Sequence, residues 1–138
     1  MEDTEDNVPA VSLPERRRIS VLIADDQTVV RDGLRALLEA ESDIKVVGEA
    51  ENGRRVVELA KKVAPEVVIM DIAMPLLNGV NATRRIRKWV PETKILIYSL
   101  NCDDEYVQGL LQAGASGYVM KQTSVDNLLA GIRSSEPR

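Results

Sequence analysis

Five short apolar runs, each followed by a helix-length segment, predict an α/β fold with a doubly wound, five-stranded parallel sheet. The runs occupy about residues 19–24, 44–47, 67–70, 94–98 and 117–120. Apart from Ser20, Lys45, Lys94 and Gly117 they are continuously rather than alternately apolar, the pattern of strands covered on both faces. Parallel neighbours require right-handed helical crossovers, and the intervening segments are long enough to supply them. The third observation is chemical. The pair Asp25-Asp26, then Asp71, Ser99 and Lys121 each stand directly after one of four runs. Ligands of open α/β sheets gather at the carboxyl ends of the strands. Three carboxylates, a hydroxyl and an ammonium are therefore expected along one edge, where they would suit a divalent metal and a phosphoryl group.

The elements follow in order. Residues 1–18 hold the acidic run Glu2-Asp3 and Glu5-Asp6, two prolines and the basic triplet Arg16-Arg17-Arg18. They lack periodicity and read as a disordered tail of solvated charge. After the first strand, a helix over about 28–40 places Val29, Leu34, Leu37 and Leu38 on one face. The second strand spans 44–47, with Gly48 after it. A second helix, about 53–63, carries Val56, Val57, Leu59, Ala60 and Val63 and stops before Pro65. The third helix covers about 78–89, and Pro91 bars its extension. The fourth covers about 103–113 and ends at Gly114. The fifth runs from Ser124, an N-cap by residue type, to Arg133. Residues 134–138 read as the start of a linker or C-terminal tail. One folded domain, 19–133, remains.

Bulk properties exclude several function classes. A chain of 138 residues buries roughly 68% of its unfolded surface and folds without staples. The formal net charge of -4 and pI near 5.0 argue against nucleic-acid binding by this segment, since phosphate backbones call for a basic patch. The single cysteine, Cys102, rules out an internal disulfide and fits a reducing cytoplasm. No apolar stretch has the length to span a bilayer, and the N-terminus lacks the apolar core of a secretory signal. The absence of histidine argues against zinc chemistry and against histidine acid–base catalysis.

At the expected edge, Asp25, Asp26 and Asp71 would repel one another unless a cation neutralised them. Hard oxygen ligands of this kind select Mg²⁺ or Mn²⁺. Asp71 is the candidate nucleophile, since a carboxylate oxygen can attack phosphorus to give an acyl phosphate. Phosphoryl transfer is then a matter of positioning and charge neutralisation, with Lys121 as ammonium donor and Ser99 as hydroxyl donor.

The stretch Asp71-Ile72-Ala73-Met74-Pro75-Leu76-Leu77-Asn78-Gly79 resembles the signature of response regulator receiver domains, and Gly117-Tyr118-Val119-Met120-Lys121 resembles their fifth strand. Ile23-Ala24-Asp25-Asp26-Gln27, Val30-Arg31-Asp32-Gly33-Leu34 and Val46-Val47-Gly48-Glu49-Ala50 are similar to the NarL/FixJ group, whose outputs are LuxR-type. The resemblance covers about 19–133. It implies a CheY-like, flavodoxin-like (βα)5 fold with strand order 2-1-3-4-5. It also implies a phosphoacceptor Asp71, and a metal held by Asp25, Asp26, Asp71 and the backbone carbonyl of Ala73. Tyr118 becomes a switch aromatic that turns inward when Ser99 moves toward the phosphoryl group. The implied partners are a sensor histidine kinase, a second copy on phosphorylation, and DNA through a LuxR-type helix-turn-helix domain beyond this segment. No membrane partner is implied.

Two departures stand out. Leu100 replaces the usual small residue after Ser99, and Gln122 replaces the proline that often follows the lysine. A cis bond to glutamine costs about 2.5–4 kcal/mol, so a trans bond is expected. Two other readings stay open: a receiver-like dimerisation module impaired in phosphorylation, and a haloacid-dehalogenase-like phosphatase. The latter wants Asp-x-Asp, and Ala73 occupies its second position. The tail after Arg133 reads as a cut ahead of an output domain, with a stand-alone receiver as the other possibility.

Overall fold

In the computed structural model the described residues are 18–71, 74, 76–99, 104–121 and 125–134. Ala73, Pro75, Leu100, Cys102, Gln122, Ser124 and both terminal segments lie outside them, and with them the expectations placed there.

The strands are β1 (Ile19–Ala24), β2 (Ile44–Ala50), β3 (Val67–Met70), β4 (Lys94–Ser99) and β5 (Gly117–Met120). They alternate with α1 (Thr28–Glu39), α2 (Gly53–Val63), α3 (Gly79–Trp89), α4 (Asp104–Ala113) and α5 (Val125–Ser134). All pairings are parallel and the sheet order is β2-β1-β3-β4-β5. This is the doubly wound arrangement, in which successive side chains of each strand enter opposite layers. Ile19, Val21, Ile23, Val67 and Ile69 pack with Leu34 and Leu38 of α1 and with Leu128 and Ile132 of α5. Leu22, Ala24, Val68, Met70, Ile95 and Ile97 pack with α2, α3 and Leu110 of α4. Both faces of the central strands β1, β3 and β4 are covered, which is why their sequences do not alternate. Among the described residues no helix is long and apolar enough to cross a membrane.

Two elements depart from the sequence expectation. β2 continues through Gly48 to Ala50, because Val47 is an extra residue: Val21 pairs with Val46 and Leu22 with Gly48. A β-bulge of this kind absorbs the glycine instead of ending the strand. A Cβ at Gly48 would stand 3.1 Å from Leu22 Cδ1, so the close approach of β2 to β1 uses the missing side chain. On α1, the inward stripe is Leu34 and Leu38, four apart. Val29 is 83% exposed and Leu37 47% exposed, so neither belongs to the buried face. The fifth helix ends at Ser134, one residue beyond its expected stop.

Caps set the helix starts and stops. Asn52 Oδ1 accepts from Arg55 N at 2.8 Å and Asn78 Oδ1 accepts from Asn81 N at 2.9 Å, satisfying amides that a helix start leaves open. α2 ends at Ala64 in the left-handed region, ahead of Pro65. Gly53 has a stricter reason to be glycine, since a Cβ there would collide with the Leu77 carbonyl. The start of α2 is thereby keyed against the segment that follows Asp71.

Candidate functional site

The sheet's hydrogen-bond ladder runs one residue past three of its strands and so fixes the backbone of the candidate site residues. Asp25 N donates to Ala50 O at 3.0 Å, Asp71 N to Ala24 O at 2.9 Å, and Lys121 N to Ser99 O at 2.9 Å. Each residue therefore stands at the carboxyl edge with its backbone held by the neighbouring strand. Ser99 is the last residue of β4 and only 3% exposed.

One oxygen each from Asp25, Asp26 and Asp71 lie within 4.8 Å of one another. Lys121 Nζ donates to Asp25 Oδ2 at 2.7 Å and stands 3.6 Å from Asp71 Oδ2. The ammonium thus ties two of the three carboxylates together. Burial pulls its pKa down, but the hydrogen bond to Asp25 and the charges of Asp71 and Asp25 outweigh it, leaving the group above the ordinary lysine value. The ring of Tyr98 adds a cation–π contact, 5.8 Å from the ammonium to the centroid.

The three acids differ in setting. Asp25 is 2% exposed and both its carboxylate oxygens are engaged, Oδ2 by Lys121 and Oδ1 by Gln27 N at 2.9 Å. Asp26 faces solvent. Asp71 is 9% exposed. The donor set is all oxygen, and one oxygen from each acid lies close enough to the others to face a single ion. Such a cluster fits a hard divalent cation with water completing the shell, and Asp25, already committed twice, is the least suited to direct ligation. Tyr118 is half-buried on β5 beside Ile97, against the α2–α3–α4 layer.

The structure adds residues to which sequence reasoning gave no role. Arg31 Nη1 donates to the Asp25 carbonyl at 2.7 Å, and its Nε pairs with Glu49 at 3.2 Å. Glu49 also holds Arg35 at 2.6 Å. Arg31 thereby clamps the β1–α1 turn that carries Asp25 and Asp26. The signal was present, since both residues lie in the segments that carry the family resemblance, but neither follows a strand run in the way that marked the site.

The response regulator receiver domain family matches residues 21–133. The chain is 39% identical over 116 residues to the transcriptional regulatory protein DegU of Brevibacillus brevis, covering 84% of this chain and 49% of the relative. It is 40% identical over 118 residues to the uncharacterized transcriptional regulatory protein YxjL of Bacillus subtilis, covering 86% and 54%. The crystal structure of a LuxR-family two-component response regulator from Aurantimonas superposes with a TM-score of 0.81 at 32% identity, covering 85% of this chain and 84% of that one. The chain spans about half the length of the curated relatives it matches. A family match across most of the chain, on the fold described above, makes it a member of the response regulator receiver domain family.

Proposed function

We propose that the chain takes a phosphoryl group from a phosphohistidine of a sensor kinase onto Asp71 and uses the new charge as a switch. The observation that carries this reading is Lys121 poised between Asp25 and Asp71 beside an all-oxygen cluster. An Asp71 carboxylate oxygen attacks phosphorus and forms the O–P bond. The P–N bond breaks, and the imidazole leaves with the electron pair, neutral because its other nitrogen carries a proton. Little covalent work remains, so rate depends on alignment and on neutralising the spread negative charge.

The side chains of Asp26 and Asp71 and the carbonyl of Ala73 would hold Mg²⁺ or Mn²⁺, with Asp25 acting through water. When bound, the metal supplies a positive charge against the phosphoryl oxygens. Lys121 keeps the Asp71 carboxylate oriented and covers a second phosphoryl oxygen. Ser99 donates its hydroxyl to a third. Ala73 offers no side-chain hydrogen bond to an attacking water, so hydrolysis of the acyl phosphate lacks guidance from that position.

The phosphoryl group adds roughly -1.5 to -2 charge and three acceptor oxygens. Drawing Ser99 toward them opens space for Tyr118 to turn inward and alters the surface of α4, β5 and α5. A shift from 1% to 99% active needs about 5.5 kcal/mol of differential binding, which contacts with a second copy supplement. By likeness to transcriptional regulators, the whole protein binds DNA through a LuxR-type domain and works in the cytoplasm.

Beryllofluoride, a phosphoryl mimic, tests the reading. With Mg²⁺ present, fluorine NMR should show one bound adduct that is missing in Asp71→Asn, and sedimentation should show tighter dimers with the adduct. An adduct that survives Asp71→Asn overturns the assignment of Asp71. Unchanged association with the adduct bound overturns the dimer switch alone.

A further inference from the structure

We propose that the α2–α3 face docks the chain's own acidic run, Glu2-Asp3-Thr4-Glu5-Asp6. The two helices carry eight of the chain's 18 basic residues, four on each, against the single acidic Glu58. Outside them, ten basic residues stand against twenty-one acidic ones, so an acidic chain presents one strongly cationic face. Arg87 is half-buried and donates to the Thr93 carbonyl, and the other seven are exposed.

Helix electrostatics explains part of this. Lys61, Lys62, Arg87 and Lys88 occupy last turns, where cations complement the helix dipole. It does not explain Arg54 and Arg55, which stand at the start of α2, where the dipole disfavours them. Nor does it explain Arg84 four residues before Lys88, a repulsive spacing. Among the described residues, only Arg55 of the seven exposed cations has an acidic partner, Glu58 at 3.2 Å. The two cationic rows meet at an aromatic: Lys61 Nζ lies 4.4 Å and Lys88 Nζ 5.6 Å from the centroid of the Trp89 ring, which is 57% exposed. Like charges gathered in this way call for an anion supplied from outside the folded core.

Two facts select the occupant. Residues 2–6 place four carboxylates within five positions, more than any other five-residue window of the chain. The chain also enters the sheet beside the exit of α2. Ser20 Oγ accepts from Glu66 N at 2.9 Å, Ser20 N donates to Glu66 Oε1 at 3.3 Å, and Glu66 is three residues beyond Val63. Residues 7–17 form a tether whose extended reach is about 36–40 Å. The 11-residue helix α2 is only about 16 Å long. Covalent linkage within that reach makes docking intramolecular, with an effective concentration in the millimolar range, which lets weak surface contacts populate a docked state. Salt should dissolve it.

Trp89 is the only tryptophan, so acrylamide quenching of its emission reads this face directly. The full chain at low salt should be quenched about half as readily as a chain lacking residues 1–7. Substituting Glu2, Asp3, Glu5 and Asp6 by their amides should match the truncation, as should Arg54→Gln with Arg85→Gln in the full chain. Molar salt should remove the difference. A free peptide of residues 1–7, added to the truncated chain, should restore protection. Equal quenching of full and truncated chains overturns the proposal, and would follow if the acidic run paired with Arg16-Arg17-Arg18 instead. Protection that grows with protein concentration overturns it in favour of a second copy. Protection of both chains by duplex DNA, with no response to the peptide, overturns it in favour of nucleic acid.

Discussion

Replacing Asp26 by Asn should stabilise the metal-free chain and blunt its response to Mg²⁺. Asp26 shares a cluster with Asp25 and Asp71, within 4.8 Å, yet the Lys121 ammonium pairs with the other two. Its negative charge therefore adds two repulsions. Because Asp26 faces solvent, the water-like limit of Coulomb's law applies, giving about 0.9 kcal/mol for each pair at that separation before screening. Screening and the lost attraction to the nearby Lys121 ammonium reduce that sum, so the net gain on Asp26→Asn is about 0.5–1 kcal/mol, or a few degrees in Tm for a domain of this size. Mg²⁺ at a hundred times its dissociation constant stabilises the wild type by about 2.7 kcal/mol. The variant, short of one anionic ligand, should gain much less, so the order of stability reverses as metal is added. Thermal melts of both chains in EDTA and across a Mg²⁺ titration measure this. A variant less stable than wild type in EDTA, or one that gains as much from Mg²⁺, would refute the reasoning.

Other expectations follow from the same structure. Gly53→Ala should cost about 1–3 kcal/mol despite the better helix propensity of alanine, because the new Cβ strikes the Leu77 carbonyl; urea denaturation checks it. Leu38→Ala should cost about 2–5 kcal/mol, as Leu38 is fully buried. Leu37→Ala should stay within about 0.5 kcal/mol, as Leu37 is half-exposed, and denaturant midpoints compare the two. Arg133 donates to Asp43 at 2.9 Å through both Nε and Nη2, tying the end of α5 to the α1–β2 loop, and this bond holds the Asp43 carboxyl below its ordinary value. A depressed carboxyl contributes stability above its unfolded pKa, near 3.9, and loses it as pH falls through the folded value. Arg133→Ala should therefore lose about 0.5 kcal/mol at pH 7, small because the pair is partly exposed, and the gap should close below about pH 4 in paired denaturation curves.

The sheet was legible because burial on both faces leaves nothing but apolar residues in the last four positions of β1, in β3 and in the middle of β4, and because a polar residue after such a run has only the sheet edge to occupy. Asp25, Asp71 and Lys121 were placed at the edge in this way, and the ladder bonds to Ala50, Ala24 and Ser99 are what hold them there. The rest depends on tertiary contacts. Gly48 resembles a strand stop unless the bulge at Val47 is known. Val29 and Leu37 match a helical face by type, yet it is Leu34 and Leu38, with Val30 beside them, that pack against the sheet. Arg31 and Glu49 hold the turn of the acidic pair across 18 residues of sequence, a link that no local pattern encodes.

The most direct test of the account is the intact mass of the chain after incubation with acetyl phosphate, with and without Mg²⁺. One phosphoryl adduct is expected with Mg²⁺, strongly reduced in EDTA or in Lys121→Ala, and missing in Asp71→Ala. An adduct that persists in Asp71→Ala, or a wild-type chain that stays unmodified while Mg²⁺ demonstrably binds, would contradict the assignment of Asp71 as the phosphoacceptor.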